Sequence, residues 1–197
     1  DKLKFHAVRG PKTRKFLLEC GYTEEQVPEI YGDPALLLPE IYQPKVLPWT
    51  RDMWVVIPHH SCLDSAHRRN YWANLTADDY DLWEMFGYRI VYPNQPWQEV
   101  VDAIANAKGV ISESLHGLIL ADAYNVPNVW WNANGENGLA GHNGNFKFED
   151  YFESMGQIDR KFVVDFEDVT EDNWQELMSV TAGTSLIDTE VLREAFP

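Results

Sequence analysis

The stretch GVISESLHGLILADAYNVPNVWW, residues 109–131, decides how the rest of the chain is read. Its first four residues, GVIS, are apolar and short, as suits a strand covered on both faces. LHGLILADAYN is long and apolar enough for a helix packed on that strand, and VPNVWW reads as a second strand. Strand, helix and strand in succession imply a crossover connection and a parallel sheet. Between the first strand and the helix stand Ser112, Glu113, Ser114, His116 and Gly117. In an open α/β fold that place is the carboxyl edge of the sheet, where ligands bind.

The flanking segments extend the pattern. MWVVIPHH (53–60), YRIVYP (88–93) and FVVDF (162–166) read as further strands, and FHAVR (5–9) as another short one. In WQEVVDAIANAK (97–108), Trp97, Val100, Val101 and Ile104 recur at the spacing of one helical face. KTRKFLLECG (12–21) reads as a helix closed by Gly21, and FEDYFESMG (148–156) and DNWQELMSVT (172–181) as two more. YGDPALLLPEIY (31–42) is bounded by prolines and has room for at most two helical turns. NANGENGLAGHNGN (132–145) is too rich in Gly and Asn for a regular element and reads as a surface loop. The expectation is one α/β domain over residues 1–197, a doubly wound, mainly parallel sheet of Rossmann-like topology.

Composition narrows the function. The 197 residues are 45% hydrophobic, with 8 Trp, 9 Tyr and 9 Phe, enough for a substantial core and too apolar for a disordered segment. A formal net charge of −15 repels phosphate backbones and anionic headgroups, which disfavours nucleic acid and membrane surfaces as partners. No run approaches the roughly 20 apolar residues of a transmembrane segment, so the chain reads as soluble. Cys20 and Cys62 are too few for a disulfide framework or a zinc knuckle. Starting at Asp1 and entering KFHAVRG at once, the chain reads as a piece of something longer.

Three groups of residues carry chemistry. Ser112 or Ser114 can cap the helix that starts near Leu115, whose free first-turn amides and positive dipole end favour an anion. His116 lies within the first turn and can exchange a proton near neutrality, and Gly117 allows close approach of a backbone or ligand. The structural alternative is a capped, buried helix with its histidine satisfied by a carbonyl. In VRGPKTR (8–14), Arg9 ends a strand while Lys12 and Arg14 open a helix, where cations oppose the dipole. Arg9 suits a carboxylate or phosphate because a guanidinium binds one with two parallel hydrogen bonds, whereas Lys12 and Arg14 fit a solvated face equally well. In PHHSCLDSAH (58–67), His59, His60, Cys62, Asp64 and His67 can all ligate a metal, but their spacing matches no zinc pattern. His59, directly after a strand, is instead expected to face the cleft of His116.

AVRGPKTR, YGDPALLLP, VVIPHH, AKGVISESLHGLILADAYNVPNVWW and NFKFEDYFESMG, in this order, resemble the polysaccharide pyruvyltransferase family over roughly residues 5–157. The resemblance implies transfer from phosphoenolpyruvate to two hydroxyls of a sugar, giving a pyruvate ketal on a bacterial exopolysaccharide or cell-wall glycan. It implies the C-terminal, donor-binding lobe of a two-lobed transferase similar to the GT-B type, with the N-terminal lobe absent. His116 then takes the role of general acid or base, and Arg9 holds the donor's carboxylate or phosphate. The amides of Leu115 and His116, with Ser112 and Ser114, hold its other anionic end. Some members carry arginine where this chain has Ser114, so one anion contact comes from elsewhere, from Lys12, Arg51 or His59. No metal or bound cofactor is implied. The expected acceptor is a sugar or lipid-linked oligosaccharide, and the expected place is the cytoplasm or the inner face of the membrane; a homo-oligomer is compatible. The competing expectations are a nucleotide-sugar glycosyltransferase lobe and a noncatalytic glycan-binding module with Trp49, Trp54, Trp72 and Trp131 at its rim.

Overall fold

The computed structural model describes residues 3–47, 52–60, 77–132, 145–163, 165–170, 172–178 and 186–196. Its centre is a sheet of five strands, β1 (Trp54–Ile57), β2 (Tyr88–Ile90), β3 (Gly109–Ser112), β4 (Asn128–Trp131) and β5 (Phe162–Val163). They lie in the order β2-β1-β3-β4-β5, and every pair is parallel. The architecture is thus the expected doubly wound α/β sheet. β1, β3 and β4 are buried throughout, because a central parallel strand has a helix layer on each side.

Alternation along the strands divides the core in two. Trp54, Val56, Ile111, Val129 and Trp131 point to one face and pack with Phe166 and Val169. On that side lie α3 (Ala77–Met85) and α7 (Trp174–Met178), which contribute Tyr80, Trp83, Trp174 and Leu177. Val55, Ile57 and Val110 point the other way, against α4 (Trp97–Asn106) and α5 (Leu115–Ala123). Trp130 does the same against α6 (Phe146–Ser154), stacking on Phe148 with ring centroids 5.0 Å apart. Trp54 and Trp131 are each 5% exposed, so they are core residues and not a sugar-binding rim; Trp49 and Trp72 lie outside the described residues.

The segment before β1 also differs from expectation. FHAVR forms no strand of the sheet: only Val8 pairs, in an isolated parallel bridge with Tyr31. Val8 is the buried residue of that run while His6 is exposed, so a single residue has apolar surface to pair for. α1 (Pro11–Glu19) follows, then a 3-10 helix (Pro34–Leu37) and α2 (Leu38–Ile41), and α8 (Thr189–Ala195) ends the described chain. The 3-10 helix packs on α5 and on α8, and α1 packs on α6. Asp150 makes the second of these contacts specific, since its carboxylate accepts from the Thr13 amide at 3.0 Å and the Thr13 hydroxyl at 2.5 Å. Both contacts carry residues from the first 33 positions to the carboxyl edge of the sheet.

At the opposite edge, polar groups close the layers. Asp122 accepts from Asn128 at 2.7 Å and from the Tyr151 hydroxyl at 2.8 Å, while Arg160 donates to the Asn128 carbonyl at 3.1 Å. Burial and the adjacent Asp122 push the Tyr151 hydroxyl far above its usual range, which keeps it a neutral donor.

Candidate active site

The chain runs outward from β1 to β2, then returns to place β3 on the other side of β1. Adjacent strands whose connections diverge in this way open a crevice at their carboxyl ends. Pro58 and His59 leave β1 there and Glu113 leaves β3, and the two exits are joined by the His59 amide, which donates to Glu113 Oε2 at 3.0 Å. The His59 ring lies against that of His60, with centroids 4.2 Å apart. The His59 backbone therefore lies at the edge from which His116 also starts.

Ser112 and Ser114 shape the turn. The Ser112 hydroxyl is fully buried, donates to the Ser114 carbonyl at 2.8 Å and accepts from the Ser114 amide at 3.0 Å. Neither hydroxyl caps the helix: Ser114 is the N-cap residue of α5, but its side chain makes no capping bond. The tight turn leaves open the donors that a cap would cover. Among the described residues the amides of Leu115 and His116 meet no acceptor, whereas those of Gly117 and Leu118 bond to the Ser114 carbonyl. Gly117 brings protein, and not ligand, close: a Cβ there would lie 2.3 Å from Ser112 Oγ and 3.0 Å from Ile57 Cδ1. Leu115 itself is core, so its part in any site is its amide.

The His116 side chain is 63% exposed, and its Nε2 lies 3.6 Å from Asp33 Oδ2. Arg9 Nε lies 3.6 Å from the same oxygen and has no hydrogen-bond partner. The other carboxylate oxygen accepts from the Ala35 amide at 3.1 Å, which caps the 3-10 helix. Burial raises the Asp33 carboxyl, but the contact with His116, the Ala35 amide and the charges of His116 and Arg9 outweigh it and hold the group below its ordinary value. Asp33 is therefore ionised at neutrality. The stability it contributes is present above the ordinary carboxyl range and is lost as pH falls through the depressed value.

Lys147, at the start of α6, completes the set of cations. Burial lowers its ammonium, the neighbouring Arg9 charge lowers it further and Glu113 partly restores it. Two cations thus converge on one mouth in a protein of net charge −15. Arg9 and Asp33 also line a cleft of about 360 Å³ walled by His6, Pro34 and Phe196. Lys12 stands apart, its ammonium bonded to Glu149 at 2.6 Å on the α1 and α6 surface, and Arg14 pairs with Glu29 at 3.1 Å. Arg51, Cys62, Asp64 and His67 lie outside the described residues, among which no group of three or more His, Cys, Asp or Glu could hold a metal ion.

Asp33 and Lys147 are the site residues that sequence reasoning missed, and Glu113 is placed by the sequence at the strand end without a role. Asp33 has a local signature, an acidic cap before Pro34, but that signature says nothing of His116. Lys147 sits in NFKFEDY, where the apolar spacing reads only as a helix.

No helix among the described residues is long and apolar enough to cross a membrane. Comparison with curated proteins and with solved structures gives no match. The family model described as polysaccharide pyruvyl transferase matches residues 1–132, a span that includes Arg9, Asp33, Glu113 and His116. A parallel sheet with an exposed histidine and opposed cations at its carboxyl edge, together with that match over most of the chain, makes this protein a transferase of the polysaccharide pyruvyl transferase family.

Proposed function

We propose that the chain is the donor-binding lobe of an enzyme that transfers the pyruvyl group of phosphoenolpyruvate to two hydroxyls of a bacterial glycan. The observation that carries this reading is the convergence of Arg9, Lys147 and the unbonded amides of Leu115 and His116 at one mouth. Two like charges held together are costly until an anion lies between them. A donor with a carboxylate at one end and a phosphate at the other relieves that cost. Arg9 takes one end through its guanidinium fork, and the start of α5 takes the other.

His116 then faces the reacting atoms. As an acid it protonates the methylene carbon, turning it into a methyl group and leaving positive charge at the adjacent carbon. A sugar hydroxyl adds there and gives its proton back to the imidazole. The bond to phosphate breaks, and a second hydroxyl closes the ketal. The two hydroxyl protons finish on the methyl group and on phosphate, so the reaction balances without redox chemistry. The acceptor is a sugar or lipid-linked oligosaccharide, and the reaction belongs in the cytoplasm or at the inner membrane face.

Two measurements bear on the donor. Phosphoenolpyruvate at about ten times its Kd adds about 1.4 kcal/mol of stability, a rise in melting temperature of about 3–6 °C for a domain of this size. UDP-sugars are expected to leave it unchanged; the opposite pattern favours a nucleotide-sugar transferase. Lys147→Ala and Arg9→Ala each remove one charge-assisted contact and are expected to weaken phosphoenolpyruvate about 10- to 100-fold by calorimetry. Lys12→Ala, whose ammonium is bonded to Glu149, leaves that affinity unchanged.

A further inference from the structure

Asp33 has no part in the transfer chemistry described so far, yet it touches both residues that carry it. Its Oδ1 is fixed by the Ala35 amide at 3.1 Å, so the carboxylate cannot turn freely. Its Oδ2 is shared by Arg9 Nε and His116 Nε2, each at 3.6 Å. That is ion-pair distance, longer than a formed hydrogen bond, and apo sites commonly tighten such contacts on binding substrate. The side chain is only 10% exposed, and the capped 3-10 helix that presents it packs on α5, the helix of His116. A carboxylate held in this way acts on an imidazole through one nitrogen alone.

We propose that Asp33 is the positioning residue of the site, holding the neutral His116 ring as its Nε2–H tautomer so that Nδ1 is the nitrogen that meets the donor. The carboxylate accepts from Nε2–H, and a tautomer with its proton on Nδ1 would set the Nε2 lone pair against Oδ2. The proton that moves to and from substrate therefore travels through Nδ1. The same carboxylate occupies the Nε edge of Arg9, so the two terminal nitrogens of the guanidinium remain for the donor anion. Of the other charged groups at this mouth, Arg9 and Glu113 both act on Lys147, while the ion pair of the His116 ring is with Asp33. The inference rests on the transfer reading for its consequence, but its geometry stands without a ligand.

Asp33→Asn isolates the charge, because asparagine caps the Ala35 amide about as well as aspartate. The tautomer is read by long-range proton–nitrogen NMR of the histidine rings at about pH 9, where an ordinary imidazole is neutral. The His116 signals are those missing from His116→Gln. In the unsubstituted chain the Nε2–H form is expected to predominate, and in Asp33→Asn that preference is expected to fall to a mixture. Predominant Nδ1–H tautomer in the unsubstituted chain overturns the proposal, whether or not the variant folds. Unchanged tautomers in a folded Asp33→Asn overturn it too. A parent that shows the Nε2–H form but binds no phosphoenolpyruvate leaves the inference standing and removes the transfer reading instead.

Discussion

Replacing His116 with glutamine in the full-length enzyme is expected to lower pyruvyl transfer by about 10²- to 10⁴-fold, the usual contribution of a positioned acid or base, with donor affinity little changed. Glutamine matches the imidazole in polarity but cannot carry a proton to carbon. The side chain is largely exposed, so its loss costs little stability. The α5 amides and Arg9 remain in place to hold the donor. The effect therefore belongs in kcat, with the phosphoenolpyruvate KM close to that of the parent. The check is phosphate release from phosphoenolpyruvate in the presence of an acceptor glycan, beside a calorimetric Kd for the donor. Normal turnover of His116→Gln would remove His116 from the chemistry.

Gly10→Ala is expected to give the largest loss of stability among single methyl additions near the site. Gly10 precedes α1 in extended backbone, φ −163°, which any residue can adopt. What excludes a side chain is space: a Cβ would stand 2.0 Å from the Asp150 carbonyl oxygen and 2.6 Å from its Oδ1. Backbone cannot yield as a flexible side chain can, so the cost falls at the upper end of overpacking, about 3 kcal/mol. For a chain of this size that is roughly 6–12 °C in melting temperature. The same displacement pushes α1 from α6, strains the two Thr13 bonds to Asp150 and separates Arg9 from Lys147. Donor affinity should fall with stability. Thermal unfolding and donor titration on one sample check both; an unchanged melting temperature would contradict the close contact of Gly10 with α6.

These two residues also mark what the chain discloses before it folds. β3 and β4 can be read directly, because both are buried throughout and bounded by turn residues, and α4 follows from its spaced Val100, Val101 and Ile104, although Trp97, read onto the same face, is 51% exposed at the first turn. α3 escapes that reading: Leu82 and Met85 are exposed while Tyr80 and Trp83 pack on the core, so its apolar residues fall on both faces. His116 and Arg9 are visible as types suited to a strand end and a helix start. Their common partner is not visible, since Asp33 reaches them only after the 3-10 helix docks on α5. Trp54 and Trp131 show the reverse error. Each stands at the end of a strand, but alternation in a doubly covered sheet buries both.

Whether Arg9, Lys147 and the first turn of α5 form one anion site is decided by calorimetric titration of phosphoenolpyruvate into the unsubstituted chain, Arg9→Ala and Lys147→Ala. Saturable binding at one site per chain, weakened at least tenfold by each substitution while the melting profile stays cooperative, is the expected result. No binding by the folded parent, or equal affinity in all three proteins, would contradict it.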